Sequence, residues 1–428
     1  MHVKTLILGG GLTGLSTAYH LEKLGQTDYL VLEKERQAGG LCRSVYKNGF
    51  TFDYSGHLLH LHTPQGKKIV RELLGTNLRR VPRRAFIYTG HSQVPFPFQA
   101  HLYALPPDVR QACVDGLLAI RQTPKTAPKN FEQWCLRAFG KGIYNAFMRP
   151  YNTKLWGRAP RELTTEWCTP FVPTPSVQEI KQSAHQKSTK KWGYNSFFYY
   201  PKTGGCGALV TSLTTQISHL KTNTPVTQID LTKKTVRAGG KTFTYDVLVN
   251  TLPLPVFLRL LKNAPALTAL ASKLSAQPVT VYQVALRGRP RPFSWIYCPD
   301  EKDPFYRVGL QSGFSPNNAP KGTYSVYVEL PGRVRPTPAK ERQISRALLQ
   351  KGIISTYDEK LDSFWQYLPY AYVVYDTFRT RTVFRALQSL ESYHCFCAGR
   401  YGAWEYSFME SSLLQGKSFA KKLYNEVL

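Results

Sequence analysis

An apolar run that stops at a triple glycine constrains this chain more than any other feature. Val3 to Leu8 (VKTLIL) reads as a short buried strand, and Gly9-Gly10-Gly11-Leu12-Thr13-Gly14 follows it directly. Leu15 to Leu24 then has helical spacing, with Leu15, Ala18, Tyr19, Leu21 and Leu24 suited to one buried side. Asp28 to Leu32 (DYLVL) is a second strand, closed by Glu33, which lies 19 residues after Gly14. Strand, G-x-G-x-x-G turn, helix, strand and acid in this order bind a dinucleotide. Gly9 permits the tight turn, Gly11 lets backbone approach a pyrophosphate, and Gly14 lets helix and strand pack closely. Leu12 and Thr13 open the helix, whose unpaired N–H groups and positive dipole end suit phosphates. Glu33 can accept from a ribose hydroxyl, and its charge would repel a 2′-phosphate, which argues against NADP.

The rest of the composition fits a folded protein of two or three domains, at about 150 residues per domain. The chain has 428 residues, 42% hydrophobic and 19% charged. That excludes disorder as the main state. No window approaches the roughly 20 apolar residues of a spanning helix. The first eleven residues are too short and glycine-broken for a signal peptide. Eight cysteines without a Cys-x-x-Cys pair give no metal spacing, and they suggest a reducing, cytoplasmic setting. Cys395 and Cys397 share one face of a strand and read as buried thiols. The net charge of +29 favours anionic partners, including an acidic membrane face. No basic tail or nucleic-acid motif accompanies it, so no nucleic acid is expected.

The segment from Glu33 through Lys34, Gly39, Gly40, Leu41 and Cys42 to Ser44 resembles the signature that follows the fingerprint in FAD enzymes of the amine oxidase and protoporphyrinogen oxidase type. There a second glycine pair continues the phosphate cradle, so the resemblance favours FAD and adds Lys34, Gly40 and Leu41 to its contacts. Later stretches resemble UDP-galactopyranose mutase, in order and along nearly the whole chain. They are Asp53 to His57, Val94 to Gln99, Phe147 to Trp156, Trp192 to Asn195, Tyr200 to Gly205, Trp295 to Tyr297, Pro304 to Arg307 and Gly399 to Glu410.

The resemblance implies an α/β fold with a Rossmann-like FAD-binding domain, a helical substrate domain and an antiparallel β-sheet domain. Residues 1–84 would form the first, with about 200–262 and 388–428 returning to it. Residues 85–199 would be mainly helical, as the periods over Val109 to Ile120 and Phe131 to Phe139 suggest. Residues 263–387, with alternating runs such as Val279 to Leu286 and Tyr324 to Leu330, would roof the flavin. Lys187 to Lys191 reads as a loop.

It also implies roles. Val226, Gly399, Arg400, Met409 and Glu410 would join the FAD contacts, and His57 would sit near flavin N5. Arg307, Tyr297, Tyr372 and Tyr406 would hold a diphosphate. Phe98, Gln99, Phe147, Asn152, Trp156 and Asn195 would cradle the uridine, and Arg84 would face the sugar or FAD. One departure stands out: mutases of this type carry a second diphosphate-binding Arg at a position that falls near Phe171 in this chain, within Trp167 to Pro173. Lys181, Lys190 or Lys191 could replace it, or the substrate could differ.

The implied activity is ring contraction of a UDP-hexopyranose to the furanose through a covalent flavin N5–sugar intermediate. It needs reduced FAD and therefore an external reductant such as NAD(P)H or a reductase. The alternative is a net FAD-dependent oxidoreductase, either amine- or protoporphyrinogen-oxidase-like or a nucleotide-sugar dehydrogenase.

Overall fold

The computed structural model describes residues 1–90, 92–122, 126–187, 190, 192–193 and 196–426. Asn195 and Lys191 lie outside them. The strand His2–Leu8 is apolar on both faces and is therefore central: it pairs in parallel with Tyr29–Leu32 on one side and Lys241–Asn250 on the other. Leu6 and Leu8 enter one core cluster and Ile7 another, as strand alternation requires. The seven-stranded sheet runs Val226–Asp230, Thr235–Ala238, Lys241–Asn250, His2–Leu8, Tyr29–Leu32, Leu220–Lys221, and Cys395–Cys397 pairs with the end of Lys241–Asn250. The helix Leu12–Lys23 lies against the final helix, Met409–Glu426, where Ser16 Oγ donates to the Leu413 carbonyl at 2.7 Å. A side chain at Gly416 would meet Ser16 Cβ at 2.6 Å, so this glycine sets the close approach that returns the C-terminal segment to the first turn.

A second seven-stranded sheet runs Glu359–Val373, Ala276–Arg287, Thr323–Pro331, Arg307–Leu310, Trp295–Tyr297, Ala85–Thr89, Ser92–Pro95. It is antiparallel except where Trp295–Tyr297 meets Ala85–Thr89. Ala85–Thr89 and Ser92–Pro95, expected in the helical region, thus pair as strands at the edge of this sheet. Ala85, Ile87 and Val94 are its buried positions, a period of two that only this sheet can bury. The helical part carries Pro107–Leu118, Phe131–Ile143, a π-turn at Tyr144–Met148 and Arg149–Trp156. Asn130 caps the second of these by accepting from Gln133 N at 3.0 Å. Among the described residues no helix is long and apolar enough to cross a membrane.

Candidate active site

The two sheets face each other across one cleft, which opens at the glycine turn and ends at a wall of tyrosines. At the turn, Gly9 has φ +101°, and a side chain at Gly14 would stand 2.1 Å from the Gly9 carbonyl. Gly39 N donates to Gly10 O at 2.7 Å, so the second glycine pair rests on the first. Gly11 differs: a β-carbon there would meet no protein atom within 4 Å and would project into the cleft. Gly11, Leu12, Thr13, Gly40 and Leu41 line this end, with Gly399, Arg400 and Met409 arriving from the C-terminal segment.

Glu33 behaves differently from expectation. Its Oε2 accepts from Gly10 N at 2.8 Å and its Oε1 from Glu35 N at 2.9 Å. The buried carboxylate thus stiffens the glycine turn, leaving only its remaining lone pairs for a ribose. Lys34 is exposed beside Glu35, and Val226 follows a segment joined to Glu33 by Thr224 N→Glu33 O at 2.8 Å. Neither lines the cleft. Glu410 is engaged by the chain itself: its oxygens accept from His62 N, Thr63 N and Thr63 Oγ1, each at 2.8 Å, so it holds the turn into the helix Pro64–Leu74.

The loop before His57 is fixed between the sheets by buried Asp53. Its carboxylate accepts from Ser44 Oγ (2.6 Å), Cys206 N (2.9 Å), Tyr200 OH (2.6 Å) and Gln311 Nε2 (2.9 Å). His57 lines the cleft, and its buried Nδ1 meets no protein partner. Desolvation pushes its pKa down to about 4, so the imidazole is neutral at pH 7. Below its ordinary range, near 6.5, the unfolded chain then binds the proton more readily than the native state. Stability is full above pH 6.5 and declines as the pH falls toward 4. We expect the thermal midpoint to fall from pH 7 to pH 5, and less steeply in His57→Asn; equal slopes in a melting series would rule His57 out as a source.

The far wall is built by cross-strand register. Arg307 pairs with Tyr297 on one side and with Glu329 on the other. Arg307 Nε donates to Glu329 Oε2 at 2.6 Å and Nη2 to Oε1 at 2.7 Å, while Nη2 also reaches Tyr372 OH at 3.3 Å. Ser55 Oγ adds a short hydrogen bond to the same carboxylate. Burial works against the Arg307 charge, but Glu329 outweighs it and keeps the guanidinium protonated. Tyr297, Tyr306, Tyr327, Tyr372 and Tyr406 line the cleft too. Burial raises the first four phenols, so they act as neutral donors. Arg400 lies over the Tyr406 ring at 4.5 Å and donates to Ser407 O (3.0 Å) and Ala371 O (2.8 Å). Phe171 occupies the cleft between Tyr406 (4.2 Å) and Phe408 (4.7 Å).

The expected uridine residues are not on this wall. Phe98 and Phe147 stack at 5.3 Å, Phe147 and Tyr151 at 5.3 Å, and all are buried. Gln99 donates to Pro173 O, and Asn152 Nδ2 to Met148 O at 2.7 Å. Trp156 lies behind Tyr372 at 5.8 Å. The faces of Phe98, Phe147 and Tyr151 cover one another. Arg84 is exposed, with its backbone bonded to Ser294, and Arg83 is the inward residue, stacked on Phe96 at 4.9 Å. Glu329, Tyr327 and His60 escaped sequence reasoning, whereas Ser55 and Tyr306 lie in the mutase-like stretches without an assigned role. The signal for two of them was a period of two: Tyr327 and Glu329 alternate with Val326, Val328 and Leu330, which enter the opposite core.

The donor set fits a flavin dinucleotide. Gly11 leaves room for phosphates at the helix N-terminus, and the buried cleft atoms His57 Nδ1 and Ser407 Oγ have no hydrogen-bond partner among the described residues. Comparison with known proteins agrees. The crystal structure of reduced UDP-galactopyranose mutase superposes with a TM-score of 0.93 at 27% identity, covering 99% of this chain and 94% of that one. Curated relatives match in short stretches. An uncharacterized protein of the nifH2 3′ region of Methanothermococcus thermolithotrophicus is 47% identical over 57 residues, 13% of this chain and 54% of that protein. An inactive all-trans-retinol 13,14-reductase of Danio rerio is 36% identical over 74 residues, 17% of this chain and 12% of that protein. The flavin containing amine oxidoreductase family matches this chain over residues 12–423, and the chain belongs to that family.

Proposed function

We propose that this protein is a flavin-dependent nucleotide-sugar mutase that contracts the ring of a UDP-hexopyranose to the furanose. The observation that carries the reading is the convergence of Tyr297, Arg307, Tyr372 and Tyr406 on the wall that faces His57. Likeness to the mutase along 99% of the chain supports it. Gly11, Leu12, Thr13, Gly40 and Arg400 would hold FAD, which when reduced supplies an electron-rich ring nitrogen. The chain's own part is to hold the departing diphosphate near the sugar. Glu329 and Tyr372 take the Nε–Nη2 edge of Arg307, which leaves its Nη1 edge for an anion. Neutral tyrosines add donors without charge. Because Glu329 offsets part of the Arg307 charge, the anion is held loosely enough to return to the sugar. An external reductant belongs to this reading, as do a cytoplasmic location and contact of the basic surface with anionic membranes; co-sedimentation with vesicles that ignores anionic lipid content would count against the last.

The presence of Phe171 where a second Arg was expected favours the other reading, a net oxidoreductase on the same scaffold. Two incubations with UDP-galactose separate them: NMR furanose signals from dithionite-reduced protein without net electron use support the mutase, and stoichiometric bleaching of the flavin in oxidised protein by substrate supports the oxidoreductase. If the anion sits beside Phe171, Phe171→Arg should tighten UDP by about tenfold, the worth of one charge-assisted contact. Unchanged UDP affinity by flavin-absorbance titration would move the anion elsewhere.

A further inference from the structure

Lys154 is outside the cleft, yet its ammonium is the centre of an ordered ring. It projects from the helix Arg149–Trp156, and Nζ donates to four carbonyls of one loop: Cys298 at 3.0 Å, Asp300 at 2.7 Å, Asp303 at 3.1 Å and Phe305 at 2.7 Å. An ammonium has three N–H bonds, so four oxygens at these distances surround it as a ring of carbonyls surrounds potassium in place of its hydration shell. The loop is the tip of the hairpin made by Trp295–Tyr297 and Arg307–Leu310, and it closes on the pair Tyr297–Arg307. Cys298 N→Tyr306 O at 2.8 Å extends that ladder into the loop. From the other side Lys351 pairs with Asp303 at 2.6 Å, with side chains only 7% and 6% exposed. The helix bearing Lys154 also carries Tyr151, whose ring meets Tyr297 edge-on at 5.1 Å. One side chain therefore ties the helical region to the hairpin that presents Tyr297 and Arg307.

We infer that the carbonyl ring of residues 298–305 is a monovalent-cation site whose resident cation is the Lys154 ammonium, and that Lys154 is a positioning residue for Arg307. The anion-binding part of this inference rests on the proposed function; the cation-site part does not.

The test uses the FAD-loaded full chain and Lys154→Ala, purified in potassium chloride. Potassium or ammonium should raise the temperature of flavin release of this variant by several degrees over tetramethylammonium at equal ionic strength, and should leave the wild type unmoved. Lys154→Met, which fills the ring with an apolar group, should fold and show no such response. UDP affinity of Lys154→Ala should be about tenfold weaker in tetramethylammonium and return to within about twofold of wild type in potassium. In an Arg307→Ala background, Lys154→Ala should change UDP affinity less than twofold, a loss of coupling that general destabilisation would not produce. No potassium response in a folded Lys154→Ala protein, an equal response in Lys154→Met, or failure of Lys154→Ala to fold even in potassium each overturns the cation site. Additive effects of Lys154 and Arg307 overturn the positioning role. If the wild type itself fails to bind UDP, the mutase reading falls, and the cation site is judged by flavin release alone.

Discussion

Gly11→Val should give a folded protein that purifies without colour. The two neighbouring glycines would not yield this result. At Gly14 a β-carbon would stand 2.1 Å from the Gly9 carbonyl, and at Gly9 it would stand 2.6 Å from Thr251 Oγ1 at a φ of +101°. Substitution at either strains the turn itself, so loss of flavin there would accompany loss of fold. Beyond its chain neighbours, a β-carbon at Gly11 would meet nothing within 4 Å among the described residues, and the residue is the N-cap of the helix Leu12–Lys23 in an extended conformation that any residue adopts. Valine therefore costs the apoprotein little, while its methyl groups stand where backbone must approach a pyrophosphate. A loss of at least about a hundredfold in FAD affinity follows, because the phosphates can neither reach the helix N–H groups nor rehydrate fully there. Far-UV circular dichroism and the apoprotein melting temperature should match wild type, with absorbance near the flavin bands absent. A yellow Gly11→Val protein would mean that the dinucleotide does not cross this turn.

That turn was legible in the sequence because its constraints are local. Strand, turn, helix and acid lie within 33 residues, and each glycine has a steric reason that needs no distant partner. Legibility ends where tertiary register decides. Arg83 and Arg84 are adjacent, and which one turns inward depends on how the hairpin beyond them joins Trp295–Tyr297 in parallel. Glu329 is 22 residues from Arg307, and only antiparallel pairing brings them together. Phe98 and Phe147 have the flat faces a base would need, but packing between distant segments turns those faces on each other. Glu410 begins a helix whose end faces the cleft, yet the donors of residues 62 and 63 claim its carboxylate. In each case residue type indicated the chemistry available, and long-range pairing chose its use.

The other large effect should come from Arg307→Ala, and it should have two separable parts. The first is stability. Glu329 is 1% exposed and its charge is answered by the Nε–Nη2 edge of Arg307. Removing one partner of a buried pair costs about 3–5 kcal/mol, mostly because the remaining charge is stranded. Arg307→Met with Glu329→Gln removes both charges and should recover most of the lost melting temperature. The second part is the anion. Turnover on UDP-galactose should fall by roughly 10²–10³, as when a positioned donor to a developing anion is lost. The double variant should not recover it, since a neutral wall grips no diphosphate, and Arg307→Lys should recover only a fraction because an ammonium lacks the two-edged geometry. Stability and turnover rescued together in the double variant would assign Arg307 a purely structural task, leaving Arg400 as the remaining guanidinium of the wall and removing the physical basis for placing the diphosphate beside Tyr297 and Tyr372.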